Sequence, residues 1–348
     1  MQTPPNLAPK SDRQTQIRSR LLRWYRARRR PLPWRGASPW GVLVSEVMLQ
    51  QTRVATVLGY YDAFLKRFPS PSALAEATEE DVLRAWEGLG YYRRARNLKA
   101  AAEQIARAGW ERAFLGKRPP PSEAHQFLRS LPGIGRYSAA AVASIAFGER
   151  VAAVDGNTAR VLARLDAIEA SGTRLLHEAE ARSTAWMGRC SPGDWNQAWM
   201  ELGATVCTPS PNCGDCPLQT HCDAFRLGRQ EALPIRAHGA KVVQSEEIVL
   251  CAVARGRVAV CRIEDGPWWH GMYRFPRWEN GARTPNGERL AEVTYTVTRH
   301  RVQLTAYLVE RLPRGIGITT RVPLEDLRTL PMPAPQRRVA RALLEHFS

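Results

Sequence analysis

The chain has 348 residues, of which 44% are hydrophobic, enough for two or three domains with ordinary cores, so an extended or fibrous protein is excluded. Fifty Lys plus Arg against 33 Asp plus Glu leave a formal net charge of +17, which argues for a polyanionic partner, nucleic acid first. No apolar run approaches the length of a bilayer span, and residues 1–14 hold no hydrophobic signal segment, so a soluble, cytoplasmic protein is expected.

Residues 13 to about 228 alternate helical patterns with short breaks (RRRPLPWRGASPW, RFPSPS, GKRPPPS, LPGIG) and predict an all-α region. The Arg-rich stretch 13–30 spaces Ile17, Leu21, Leu22 and Tyr25 as one helix face; organelle targeting is its alternative reading. In WGVLVSEVMLQQT, apolar residues surround Glu46, so the helix is expected to be buried on most faces. An ionised carboxylate is costly there, and Glu46 should retain a proton near neutrality, as a general acid does; a structural Glu paired with a buried Arg is the plainer reading. LPWRGASPW and GLGYYRRARN mix aromatic and basic residues. Enzymes that act on a base swing it out of the duplex and wedge a side chain into the gap, a task open to Tyr91 or Gln51; aromatic packing beside a solvated basic face is the alternative.

In LPGIGRYSAAAVASIAFG, Gly133 and Gly135 separate two helical patterns. Glycines there allow positive φ and bare N–H groups, a seat for a phosphate oxygen, although a plain turn has the same spelling. Asp155 of VDGN precedes the helix TARVLARL, whose N-terminal dipole and free N–H groups favour the ionised acid; alone it reads as an ordinary N-cap. Two carboxylates of opposite protonation are nevertheless what cleavage of a glycosidic bond requires. Cys207, Cys213, Cys216 and Cys222, spaced C-x5-C-x2-C-x5-C, predict metal coordination; the spacing suits a four-thiolate iron–sulfur cube at least as well as zinc. Cys190, Cys251 and Cys261 read as ordinary buried thiols. From about residue 246, EEIVLCAVARGRVAVCRI predicts two strands around a tight turn, EVTYTVTRHRVQLTAYLVE a longer pair, and PQRRVARALLEHF a final amphipathic helix.

Together, LPWR, SEVMLQQT, GLGYYRRARN, LPGIGRYSA, VDGN and the four cysteines closely resemble the MutY-type adenine DNA glycosylases of the helix-hairpin-helix superfamily, which also contains endonuclease III. The match runs in order over roughly residues 20–225 and continues more weakly beyond. The resemblance implies a multidomain protein: an all-α helix-hairpin-helix glycosylase core over 13–228 with a cluster loop at 207–222, a linker at 229–245, and an α/β Nudix-like domain at 246–348 for the opposite base. It implies a monomer that removes adenine mispaired with 8-oxoguanine or guanine from double-stranded DNA, carries a [4Fe–4S] cluster on the four cysteines, and has no membrane partner; in a bacterium it would work at the nucleoid.

By motif position, the resemblance makes Glu46 the acid that protonates the departing adenine. Asp155 becomes the stabiliser of the sugar cation or of a transient covalent intermediate, with Asn157 in support. Tyr137 stands where the endonuclease III branch carries a Lys nucleophile; without that amine a Schiff base is unavailable and the enzyme is expected to be monofunctional. Gln51 and Tyr91 match intercalating positions, with Thr52 and Leu89 beside them, and Arg35 and Gln197 match positions near the extruded base. GPWWHGMYRFP resembles the Nudix-like domain but holds no hydrolase signature. Three features depart from the family: five rather than six residues separate the first two cluster cysteines, with no Lys or Arg among them; Val297, Thr298 and Arg299 stand for the Phe-Ser-His recognition turn; and the loop from Arg35 to Glu46 is one residue shorter. Two rivals remain, an endonuclease III-like glycosylase and lyase for oxidised pyrimidines, and a non-catalytic reader of damaged DNA.

Overall fold

A computed structural model of the protein describes residues 10–117, 123–235, 242–264, 268–278, 284–317 and 320–348. The chain divides into two compact units, one built from Met1–Ala75 with Ala100–Gly239, the other from Glu76–Lys99 with Ala240–Ser348. The second cut falls inside the expected linker 229–245. The grouping of 76–99 with the C-terminal residues was not expected from sequence, because the helical pattern runs through both ends of that segment without a break.

The first unit is helical throughout its described residues. Its first helix, Lys10–Arg28, buries Ile17, Leu21, Leu22 and Tyr25, the face that the sequence spaced. They pack with Leu162, Trp195, Trp199 and Leu202 of the later helices Gly156–Leu165 and Pro192–Thr205. The helix Pro39–Leu49 starts where Ser38 accepts a hydrogen bond from Gly41 N (3.3 Å), with Pro39 preset in the first turn, and is buried from Pro39 to Met48. Two further helices, Ala124–Ser130 and Arg136–Ala146, are joined by the turn Leu131–Gly135.

Two contacts hold the short segment that leads to Asp155. Asn196, fully buried, accepts from Ala153 N at 3.0 Å and donates to Val151 O and Ser144 Oγ, both at 2.8 Å. Gly203 lets its helix close on the start of the helix Gly156–Leu165: a Cβ there would lie 3.0 Å from Asn157 Cβ and 3.1 Å from its carbonyl carbon and oxygen.

In the second unit, β1 (Val243–Cys251) lies parallel to β6 (His300–Leu308), which pairs antiparallel with β5 (Glu288–Val297), in the order β1-β6-β5. A second sheet centres on β3 (Arg257–Arg262), flanked by β2 (Val253–Ala254), β4 (Tyr273–Arg274) and β7 (Thr320–Pro323). The expected tight turn exists at Arg255 and Gly256 (φ +52° and +68°), but it joins β3 only to β2. The longer partner, β1, goes instead to β6, because Val249 and Cys251 join Val293, Leu304 and Ala306 in the core closed by Val339, Ala340 and Leu343 of the last helix, Ala334–His346. The longer pair and the final helix form as the sequence predicted.

Candidate active site

One cavity of about 380 Å³ opens in the helical unit, within the size range of small-ligand sites, and Glu46, Tyr137, Asp155, Asn157, Arg35 and Gln197 all line it. Glu46 faces it from the helix Pro39–Leu49 and is 6% exposed. Burial pushes its pKa up to about 7, the nearby Asp155 charge adds to the rise, and hydrogen bonding with the Tyr137 hydroxyl, which also lies 3.6 Å from Met200 Sδ, opposes it. The Tyr137 hydroxyl is itself driven well above its ordinary range, by burial first and then by the negative charges of Glu46 and Asp155. It therefore stays a donor.

Asp155 is the N-cap of the helix Gly156–Leu165. One oxygen accepts from Thr158 N at 2.7 Å, the other from Asn157 Nδ2 at 3.0 Å. The capping residue thus also borders the cavity.

A third carboxylate, missed in the sequence, completes the wall. Glu201 is 2% exposed, and it accepts from Arg30 N, Nε and Nη2 at 3.0, 2.8 and 3.0 Å and from Arg35 Nη2 at 2.6 Å. Burial pushes its pKa up, but the hydrogen bonds and charges of Arg30 and Arg35 outweigh that and hold it below the ordinary carboxylate range. Arg35 also donates to Gln197 Oε1 (3.3 Å) and to the Tyr25 hydroxyl, so it is braced rather than swinging freely. The signal was present in the sequence as Glu201 one helical turn after Gln197, but nothing there located its arginine partners.

The comparisons with known proteins agree with this geometry. Residues 44–185 match the model of the HhH-GPD superfamily base excision DNA repair proteins. The chain is 43% identical over 215 residues to an adenine DNA glycosylase of Mycolicibacterium smegmatis, covering 58% of this chain and 67% of that protein. The chain belongs to the adenine DNA glycosylase family. Human adenine DNA glycosylase is 41% identical over 277 residues, 76% of this chain but 49% of that protein, so the chain spans about half the length of the mammalian relatives it matches. Among solved structures, a thermostable thymine-DNA glycosylase shares the fold, with a TM-score of 0.54 at 23% identity over 62% of this chain and 98% of that one.

In this adenine DNA glycosylase family member the turn between Ala124–Ser130 and Arg136–Ala146 has a left-handed residue at Gly133 (φ +74°). Gly135 instead has φ −79°; it caps the Ala-rich helix without a side-chain acceptor, and what its missing side chain offers is bare N–H groups, not a special φ. Gln50, not singled out in the sequence, ties the Glu46 helix to this turn by donating to Gly133 O (3.3 Å) and Ser138 Oγ (3.2 Å). Gln51 is exposed at the cavity with φ +57°, and Thr52 lines it alongside.

Leu89 and Tyr91 belong to the second unit. Tyr91 is 43% exposed with φ +49°, whereas Leu89 is 5% exposed. Leu89 packs inward, and Tyr91 is the one of the two that presents its side chain. Thr298 heads the two-residue turn between β5 and β6, exposed, with φ +52°, a backbone state unusual for a β-branched residue. Of GPWWHGMYRFP, residues 266–267 lie outside the described residues.

All seven cysteines are free of disulfides, and Cys207, Cys213, Cys216 and Cys222 line one small hollow together. Yet no three His, Cys, Asp or Glu side chains among the described residues converge closely enough to hold a single ion. Four thiols lining one hollow are the donor set that a four-thiolate metal group requires. The shortened loop 208–212 is held from the helix Gly156–Leu165: Arg164, 3% exposed, donates to Thr208 O (2.6 Å), Pro209 O (3.0 Å) and Leu233 O (2.9 Å) and reaches Cys207 Sγ at 3.4 Å. Arg160 on the same helix joins Asn157 Oδ1 to Cys207 O, each at 2.9 Å. Neither arginine was legible as functional in the sequence.

Proposed function

We propose that the chain is a monofunctional adenine DNA glycosylase that hydrolyses the N-glycosidic bond of adenine mispaired with 8-oxoguanine or guanine in duplex DNA. The observation that carries this reading is the pairing, around one cavity, of a buried Glu46 whose pKa lies near 7 with a capped, hydrogen-bonded Asp155. Glu46 delivers its proton to a ring nitrogen of the extruded adenine as the C1′–N bond breaks. The bonding electrons leave with the base, and Asp155 stabilises the cationic sugar by charge or by a transient bond. Water then adds to C1′, displacing Asp155 where a bond to it has formed, and gives up a proton to the Glu46 carboxylate, which restores the acid. Asn157 orients Asp155, and Tyr137 keeps Glu46 pointed at the cavity through its hydroxyl. No amine stands at Tyr137, so strand cleavage through a Schiff base has no nucleophile there.

The net charge of +17 supplies attraction to the phosphate backbone, and the N–H groups of the Gly133–Gly135 turn supply a sequence-independent grip. Gln51 and Tyr91 serve as wedges, and the turn at Thr298 contacts the base opposite adenine. Cys207, Cys213, Cys216 and Cys222 would hold a [4Fe–4S] cluster, which when bound would fix the loop that Arg160 and Arg164 brace from the helix Gly156–Leu165.

Single-turnover excision from a duplex with adenine opposite 8-oxoguanine tests the proposal. Glu46→Gln and Asp155→Asn should each abolish base release while duplex binding remains measurable, and borohydride should trap no Schiff-base adduct. Normal turnover by either variant overturns the assignment.

A further inference from the structure

Tyr91 sits on a loop whose backbone is costly to hold. Gly88, Gly90 and Tyr91 all take left-handed φ values, +99°, +69° and +49°; the glycines adopt theirs freely, but at Tyr91 such a conformation persists only where surroundings over-determine it. Part of that restraint is local. Arg94, 8% exposed, donates to Leu89 O (2.9 Å) and Gly90 O (3.0 Å), and its guanidinium lies 5.4 Å from the Trp86 ring and 5.6 Å from the Tyr91 ring. Trp86 Nε1 donates to Gly90 O at 3.1 Å.

The rest comes from the far end of the chain. Arg337, on the last helix and 8% exposed, forks onto Glu87: Nε to Oε1 at 2.5 Å and Nη2 to Oε2 at 3.1 Å. Its guanidinium is fixed in turn by donating to the carbonyls of Leu327 and Leu330. A planar fork on a carboxylate sets direction as well as distance, which a lysine at the same place would not do. Glu87 immediately precedes the first left-handed residue, Gly88, so whatever fixes Glu87 fixes where the loop begins.

We propose that Arg337, acting through Glu87, is a positioning residue for Tyr91: the C-terminal helix clamps the wedge loop, so that wedge insertion depends on residues some 250 positions away in the chain. The proposal rests on Tyr91 being a wedge. It assigns to the C-terminal segment a role in base extrusion that is separate from any contact with the opposite base.

The test uses the full chain, a duplex with adenine opposite 8-oxoguanine, and 2-aminopurine stacked beside the 8-oxoguanine as a fluorescent report of stack opening. Glu87→Gln keeps an acceptor for Arg337 but not its counter-charge, so the chain should still fold with a lowered melting curve, and it should also blunt the fluorescence rise on binding and lower the single-turnover rate about tenfold. Tyr91→Ala should lower both at least as far, and the double variant should be no worse than Tyr91→Ala alone, because the two changes remove one function. Multiplying losses in the double variant, or wild-type fluorescence and rate in Glu87→Gln, would overturn the clamp while leaving the wedge intact. Wild-type behaviour of Tyr91→Ala would instead overturn the wedge reading and the clamp with it. A salt bridge with a purely structural role would lower the melting curve without touching the fluorescence rise of the folded, DNA-bound protein, and that result also counts against the proposal.

Discussion

Moving the pH across the Glu46 titration is the sharpest perturbation available. With a pKa near 7 in place of the ordinary 4.5, about half of Glu46 carries a proton at pH 7, where an exposed glutamate would keep well under about 1%. Single-turnover excision should therefore be nearly flat below pH 6 and fall by about fifty-fold between pH 7 and pH 9. The same titration acts on stability. Because the folded-state pKa is raised, protonation stabilises the fold fully below the unfolded value near 4.5, and that contribution is lost as pH rises through about 7. At about 1.4 kcal/mol per pH unit the loss amounts to about 3 kcal/mol. Glu46→Gln removes the titrating group, so in urea melts the variant should exceed wild type in stability at pH 8.5 and lose that advantage at pH 5, while excising nothing at either. A rate that stays flat to pH 9, or a variant with the same pH-dependence of stability as wild type, would refute the reasoning that burial keeps this acid protonated.

Tyr137→Phe deletes a hydrogen bond that lowers the Glu46 pKa, so the basic limb of the rate profile should move to higher pH in the same assay. Glu201→Gln frees Arg35 from its carboxylate beside the cavity, and the added positive charge should move that limb to lower pH; an unmoved limb counts against it. Gly203→Ala places a methyl about 3 Å from the Asn157 backbone, which should displace Asp155 and cost roughly ten- to a hundredfold in single-turnover rate with duplex affinity retained. Arg164→Met strands the carbonyls of Thr208, Pro209 and Leu233, and should destabilise the chain by about 3 kcal/mol in urea melts and lower the iron content per chain measured after purification.

Apolar periodicity made the helical unit legible, because the burial of Ile17, Leu21 and Tyr25, or of the whole Pro39–Met48 stretch, depends on spacing within one segment. Asp155 was legible for the same reason: its cap is local to the helix it starts. Whatever depended on pairing across long separations was not. Arg35 was placed near the extruded base only by motif, and nothing in the sequence joined it or Arg30 to Glu201, 166 and 171 residues away. Nothing in TARVLARL announced that Arg160 and Arg164 hold the cysteine loop, because their acceptors there lie 47 and 44 residues further along the chain. β1 shows the limit for strands, since its alternation announced a strand while the choice of β6 over β3 depended on a core assembled from four other segments. Leu89 and Tyr91 share a motif, and only the left-handed backbone at Tyr91 decides which of them turns outward.

Glu46 and Glu201 are both buried on one cavity, yet their protonation diverges, and the cause is the allocation of positive charge. Glu201 takes the fork of Arg30 and one arm of Arg35, so the two guanidinium groups nearest the cavity are already neutralised where they stand. Glu46 is left with a hydroxyl, an apolar helix face and the negative charge of Asp155, and each carboxylate that finds a partner makes it harder for the remaining one to ionise. Asp155 is held by backbone and amide N–H groups supplied by its own helix, which add no net charge to the cavity. Under the proposed assignment of Glu46 as the acid, it can face a cavity lined by two guanidinium groups and keep its proton only because a third carboxylate, Glu201, holds them.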